Sequence, residues 1–271
     1  MNAFVYHFQF EFRSSIRNRA KLVVNYLLPI GLYALMGPIM GPVIPGFREI
    51  MIPAMVGVAI MATTTLTLPE PLVTAREAGI FRSYKINGVP AFSILVIPAL
   101  TTVIHTLAVA VIICATAPLF FKAVLPVNWP GFIVTILVML FASAGLGVLI
   151  SVVSPSSQVA LLMSNIVFIP SMVLSGMTGL PNSLLPAAIR KASQIFPATH
   201  GMNAFRAISQ GLPADFNPAG SLVLLVMSGV LSFMLAVYLF NWDRHNVTRR
   251  GHPLLGLIVL LPYVVGMFVL S

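Results

Sequence analysis

The chain has 271 residues, 58% of them hydrophobic and only 8% charged, with a mean hydropathy of +0.99. An ordinary soluble domain carries about 25% charged residues, so this composition excludes a water-soluble fold and points to a membrane protein. The net charge of +9 does not indicate a nucleic-acid partner, because the basic residues lie between apolar runs, the arrangement that sets orientation in a bilayer.

In chain order, residues 1–21 form a charged and aromatic leader ahead of the first apolar run, so no cleavable signal peptide is expected. On a helical wheel Phe4, Val5, Phe8, Phe12 and Ile16 share one arc, with Arg13 and Arg17 off it. That pattern predicts a helix lying in the membrane interface, apolar face down; a ragged basic leader is the alternative. At ~20 residues per crossing helix the chain has room for six to eight spans. Seven apolar runs are expected near Leu22–Val43, Ile50–Leu68, Ala91–Ala115, Phe132–Val153, Val159–Leu180, Ser221–Phe240 and Pro253–Leu270. Their internal prolines are compatible with spans, since neighbouring helices re-satisfy the freed backbone groups. Gly37 with Gly41, and Ser143 with Gly147, have the small-residue spacing of close helix contacts.

Placing the N-terminus in the cytoplasm puts ten basic residues inside (Arg13, Arg17, Arg19, Lys21, Arg76, Arg82, Lys85, Arg244, Arg249, Arg250) and five outside (Arg48, Lys122, Arg190, Lys191, Arg206). The positive-inside rule favours this orientation. Residues 181–219 are then external, and the seventh run would carry the C-terminus outside. Within 181–219, two short amphipathic helices are expected, Ala187–Phe196 and Ala198–Gln210, separated by Pro197 and dipping into the outer leaflet. A simple solvated loop is the alternative.

The most informative segment lies between the second and third runs. Pro71 opens a polar insert and Gly88 with Pro90 closes it, the punctuation of a short helix. Val73, Ile80, Phe81 and Tyr84 fall on one arc of the wheel with Glu77 in its middle; Arg76, Arg82 and Lys85 lie on the rim or behind. A carboxylate among apolar side chains is costly without a partner. Either Arg76 or Lys85 folds over it, or a second protein supplies the cation. An ordinary interfacial turn with a local ion pair is the alternative reading.

Other chemistries find little support. No G-x-x-x-x-G-K-[ST] phosphate loop and no H-E-x-x-H or Cys/His cluster occurs. The single Cys114, inside an apolar run, excludes an internal disulfide. His105 lies within a span, where a neutral, hydrogen-bonded packing role is expected. Ser175-Gly176 with His200 hints at an intramembrane serine protease, but Val173 stands where that motif wants glycine. Glu70 sits at a span end and Glu11, Glu49, Glu77, Asp215 and Asp243 lie outside the runs, so no acidic relay for ion-coupled transport crosses the bilayer.

The chain resembles the membrane-spanning permease of type-2 ABC transporters, the exporter family. Three features carry the resemblance over about residues 1–245: the amphipathic leader; the loop Arg76-Glu77-x-Gly79, followed by a basic aromatic stretch and Gly88-Val89-Pro90; and the pattern from Leu174 through Gly176, Gly179 and Pro181 to Leu185-Pro186, Phe196-Pro197 and Asn203–Arg206. The resemblance implies an all-α, polytopic fold. It has a six-span core with an amphipathic N-terminal helix (1–21), a cytoplasmic coupling loop (71–90) and an external helical hairpin (181–219), in a single permease domain over 1–271. It implies coupling to the ATPase through Arg76, Glu77, Gly79, Phe81, Arg82 and Tyr84, and a hairpin marked by Pro181, Pro186, Pro197 and Arg206. The chain itself would bind no cofactor and catalyse nothing. ATP and magnesium would sit on a separate ABC ATPase, present in two copies beside a second permease, the same or related, in the cell membrane. The expected activity is export of an amphipathic drug, antibiotic or lipid-like substrate. An ion-coupled secondary transporter, a polysaccharide exporter and a membrane enzyme or scaffold are the alternatives. The run at 253–270 departs from the family pattern and is expected to be an extra span, a half-buried hairpin or an interfacial helix.

Overall fold

A computed structural model describes residues 2–180, 184–243 and 251–270, with the side chains of Asn2, Ala3, Ala20 and Lys21 excepted. Pro181, Arg244, Arg249 and Arg250 lie outside the described residues. The described chain is all helix, turn and loop. Its elements are α1 (Asn2–Arg17), α2 (Val23–Val43), α3 (Phe47–Glu77), α4 (Ile80–Ile86), α5 (Ala91–Phe121), α6 (Trp129–Val153), α7 (Ser157–Leu174), α8 (Ala187–Ala192), α9 (Pro197–Ala204), α10 (Pro218–Leu239) and α11 (Pro253–Val269). Among the described residues six of these, α2, α3, α5, α6, α7 and α10, are long and apolar enough to cross a membrane.

The runs read from sequence all appear, with shifted ends. The second run, expected to stop at Leu68, continues as helix to Glu77, and the fifth ends at Leu174 rather than Leu180. Prolines stand inside α2 (Pro38, Pro42), α3 (Pro53), α5 (Pro98, Pro118) and α7 (Pro170) without ending them.

The centre of the bundle is α3, buried along most of its length. Its middle, Ala62–Thr67, winds in wider π-type turns. Local chemistry accounts for this. Pro69 and Pro71 supply no N–H to the preceding turn. The hydroxyls of Thr63, Thr64, Thr65 and Thr67 donate to the carbonyls of Ala59 (2.8 Å), Ile60 (2.6 Å), Met61 (2.6 Å) and Thr63 (2.7 Å), so loosened carbonyls still find donors inside an apolar medium. Against this stretch lies Gly147 of α6, where a Cβ would overlap the Thr64 carbonyl oxygen. The small-residue pair of α6 therefore does bring backbones together, and Ser143 beside it is fully buried. In α2 only Gly37 makes a close approach, against the side chains of Met51 and Phe121; Gly41 has only ordinary contact with the Arg48 side chain.

α1 packs along α5, and the apolar arc read from the wheel divides between the bundle and the outside. Phe4, Phe8 and Phe12 turn inward, but Val5 and Ile16 are exposed, and His7, Glu11 and Ser15 complete the inner face. The cause lies on α5: His105 takes Ser15 Oγ on Nε2 (3.1 Å) and Tyr26 Oη on Nδ1 (2.9 Å), with Phe12 stacked on its ring. His105 is thus the hydrogen-bonded packing residue expected, and it locks α1 and α2 to α5.

The hairpin also differs from expectation. α8 is exposed throughout, but every residue of α9 is buried. Small residues (Ala198, Thr199, Gly201, Ala204) let α9 sink among α3, α6 and α10 instead of floating amphipathically on a leaflet. Pro197 opens it at N1, where its missing N–H costs nothing. Asn203 joins it to the start of α10, donating to the Phe216 carbonyl (2.8 Å) and Ser221 Oγ (3.1 Å) and accepting from the Asp215 N–H (2.8 Å). His200 is fully buried and stacked on Tyr263; burial lowers its pKa to about 4, only partly opposed by its 2.8 Å bond to the Gln194 carbonyl, so it is neutral at pH 7.

α11 runs the height of the bundle. It begins beside the end of α6, with Gly256 against Val153, and ends with Leu270 against Gly220 at the start of α10 and Lys191 over the Phe268 ring. Its first eight residues are 3-10 helix and its last nine α-helix. At ~2.0 and ~1.5 Å rise per residue this gives roughly 30 Å, the thickness of the hydrocarbon layer. The stretched opening thus brings the length of this run close to the thickness of that layer.

Two outcomes follow from this packing. Gly147→Ala should prevent normal packing of α6 on α3 and abolish a monodisperse preparation in detergent, while Gly41→Ala, which meets only the Arg48 side chain at 3.8 Å, should leave the elution profile unchanged. Accessibility reporters placed within 244–250 and after Ser271 should report opposite sides of the membrane; labelling from the same side would mean α11 does not cross.

Candidate functional site

The polar insert is not one short helix. It is an elbow: α3 runs out to Glu77, Gly79 turns the chain with φ +73°, and α4 leads away. Gly79 stands in the left-handed region that side chains with a Cβ disfavour, and nothing within 4 Å would obstruct a Cβ there. The glycine is required by the turn rather than by a neighbour. The break means that an unbroken wheel through Arg76–Lys85 misplaces both charges of the Arg76-Glu77 pair.

Arg76, expected on the rim, is buried. Its guanidinium donates to the carbonyls of Ser151 (3.3 Å) and Val152 (3.1 Å), and to that of Ser154. These are carbonyls at the C-terminal end of α6 and just beyond it, groups that an ended helix leaves without partners. Glu77 accepts from Ser157 Oγ (3.1 Å) in the first turn of α7, a partner outside the polar insert itself. One dipeptide therefore sets a cation at a helix C-terminus and an anion at the next helix's N-terminus, both favourable against the helix dipoles. Together they fasten the α6–α7 connection to the end of α3.

α4 is divided between an inner and an outer side. Phe81 is buried, 5.6 Å from Phe240 between ring centroids, so of the residues assigned to ATPase coupling both Phe81 and Arg76 face inward. Tyr84 is half-buried and meets His7 of α1 edge-on at 5.5 Å. Burial raises its pKa, and the charge of Glu11 raises it further. Arg82 is exposed and reaches Asp243 beyond α10, with Nε donating at 2.6 Å. The outward residues include Ser83, Lys85, Ile86 and Asn87, and Ile86 is 86% exposed. Sequence reasoning passed over Ile86, whose only signal was being an apolar residue three places beyond Ser83 on the polar side of the arc.

At the other end of the bundle, Pro186 is exposed at the start of α8, Pro197 is buried, and Arg206 lies 3.6 Å from Asp215. This group is far along the chain's long axis from the elbow, and the two are joined through α3, α6 and α10.

Gly79→Ala should destabilise the elbow by roughly 1–2 kcal/mol through backbone strain alone. Gly79→Asn, which tolerates the left-handed region better, should recover much of that loss. Thermal unfolding of the purified protein reads both, and equal stability of all three proteins would show that the turn does not need glycine.

No individual curated protein matches the chain. The family model described as "ABC-2 type transporter" matches residues 2–209, from α1 through the elbow and the hairpin, a shorter reach than the 1–245 expected; α10 and α11 lie beyond it. Permeases of this family are membrane transport components that work with an ABC ATPase, and the matched span covers the elbow and five of the six membrane-length helices, α2, α3, α5, α6 and α7. The chain belongs to the ABC-2 type transporter family.

Proposed function

We propose that the chain is the permease of an ATP-driven exporter, with α4 as the coupling helix that docks on a separate ABC ATPase. The observation that carries this reading is the elbow itself. α4 is held from behind by Phe81, Tyr84 and the Arg82–Asp243 contact, and presents Ser83, Ile86 and Asn87 outward. An isolated apolar side chain on an exposed polar helix suits a shallow groove on a partner. Arg76 and Glu77 then act as transmitting residues: they tie the base of α4 to the junction of α6 and α7. The orientation that places the elbow in the cytoplasm comes from the basic-residue count. Two ATPases and two permeases would form one transporter. The second permease, the same chain or a related one, would pack against α2 and α7, whose apolar windows are each only 22% buried.

Export of an amphipathic drug, antibiotic or lipid-like molecule from the cytoplasmic side suits a bundle whose interior is apolar with scattered hydroxyls. An ion-coupled carrier is the less favoured reading, because α5, α6 and α10 carry no carboxylate and those of α3, Glu49, Glu70 and Glu77, lie toward its two ends, outside its apolar middle.

Glu77→Ala should lower ATP-driven export by about tenfold or more while leaving membrane insertion intact, and Ile86→Glu should weaken association with the ATPase with no change in the permease's own thermal stability. Transport by proteoliposomes and co-purification of the ATPase check both. Undiminished export in Glu77→Ala would remove that residue from coupling. Failure of any ATPase to co-purify with, or be stimulated by, the permease would end the exporter reading.

A further inference from the structure

A cavity of about 610 Å³ opens on the elbow half of the molecule, enclosed by α1, α2, α3, α4 and α5 and bordered by α7. Its volume lies within the usual range for a small-molecule site. The chain holds 15 Lys and Arg against six Asp and Glu, yet among the described residues the lining includes two of the six acids, Glu11 and Glu70, and no Lys or Arg. Most of the remaining wall is apolar, including Leu28, Leu66, Leu72, Phe81, Ile94 and Pro98. The rim is formed in part by Val24 and Leu28 of α2 and Leu161 of α7, all exposed, so the cavity is open sideways, between the two least buried spans.

A second observation points to a ligand. Thr101 lines the cavity, is only 4% exposed, and its hydroxyl has no partner. Other threonines in the spans satisfy the same group on the carbonyl four residues back, as Thr106 does on Thr102 (2.8 Å) and Thr116 on Ile112 (2.7 Å). Thr101 does not, and a buried polar group without a partner is rare. His7 Nδ1, also on the wall, is in the same condition. Tyr84 adds an aromatic ring to the wall, a surface that attracts cations.

We propose that this cavity binds amphipathic organic cations that enter sideways from the leaflet on the elbow side. The positive group lies toward Glu70 and Glu11, the apolar body against the leucine and aromatic wall, and a polar atom of the ligand meets the Thr101 hydroxyl. Glu70 keeps its bond from Thr74 Oγ1 (2.9 Å) on one oxygen, and a carboxylate can accept further bonds. As an assignment of cargo this rests on the exporter reading; as a binding site it does not.

Decanoylcholine is a suitable probe, joining a quaternary ammonium, an ester carbonyl and an apolar chain; 3,3-dimethylbutyl decanoate replaces its charged nitrogen by carbon with little change of shape. Binding to the full-length permease alone, in phosphatidylcholine nanodiscs without ATPase or nucleotide, should be saturable for the cation, and the neutral ester should not compete. Glu70→Gln and Glu11→Gln should each weaken the cation by about tenfold, and Thr101→Val by about threefold. Glu70 is exposed, so its variant provides a test that does not depend on core packing. Absence of saturable binding, equal competition by the neutral ester, or unchanged affinity in both carboxylate variants or in Thr101→Val would overturn the proposal. Charge-selective binding without ATP-driven export would count against the exporter reading and leave the site standing. Export without charge-selective binding would count against the site alone.

Discussion

The structure depends on one buried cation. Arg76 is the point at which three helices end or begin, and its guanidinium gives donors to backbone carbonyls that have lost their own. In an apolar surrounding such carbonyls are expensive to leave bare. A hydrogen bond to a charged group is worth roughly 1.5–3 kcal/mol net, so the end of α6 is fixed far more firmly than a surface ion pair could fix it. Burying an arginine here would be costly without those acceptors. The geometry that satisfies α6 also satisfies Arg76, and neither half of the arrangement is stable without the other.

The same economy of backbone groups shapes α3. A regular helix through Ala62–Glu77 is impossible at full hydrogen bonding, because Pro69 and Pro71 withhold two donors. The turns ahead of them widen, and the threonine hydroxyls there donate to the carbonyls one turn back, from Ala59 to Thr63. A widened turn pushes a carbonyl, that of Thr64, outward. Gly147 is what allows α6 to close over it. Sequence features scattered over nearly ninety residues, a proline pair, a threonine run and a glycine, are thus parts of a single solution to one packing problem.

These features also decide what was legible in the sequence. The six long spans were readable because each is a simple excess of apolar residues, and the lone His105 was rightly weighed as a packing residue. The site was readable in location but not in orientation. A wheel assumes an unbroken helix, and Gly79 breaks this one, so it does not report that Arg76 is buried or that Glu77 meets Ser157 at the start of α7. The face that α1 turns toward α5 has a different origin. Apolarity chose Val5 and Ile16, but a histidine ninety residues away draws Ser15 inward, and no local pattern reports that. The burial of α9 was invisible for the same cause: its small residues are informative only once the wall they fit against is known.

The elbow and the cavity share their walls, and this gives the fold a mechanical consequence. Phe81 and Tyr84 stand behind α4 and also line the cavity, while Glu70 and Leu72 belong to the rigid end of α3 that Arg76 anchors. A displacement of α4 by a docked partner therefore moves Phe81 and Tyr84 against the fixed side of the cavity that Glu70 and Leu72 form. The Arg76 and Glu77 contacts carry the same displacement into the start of α7, and α7 forms part of the rim through Leu161. Under the proposed docking, one movement therefore alters the inner wall and the lateral opening of the cavity together. That is the coupling an exporter needs between an ATPase it does not contain and a ligand held several turns away, and it requires no element beyond those that already hold the ends of α3, α6 and α7 in place.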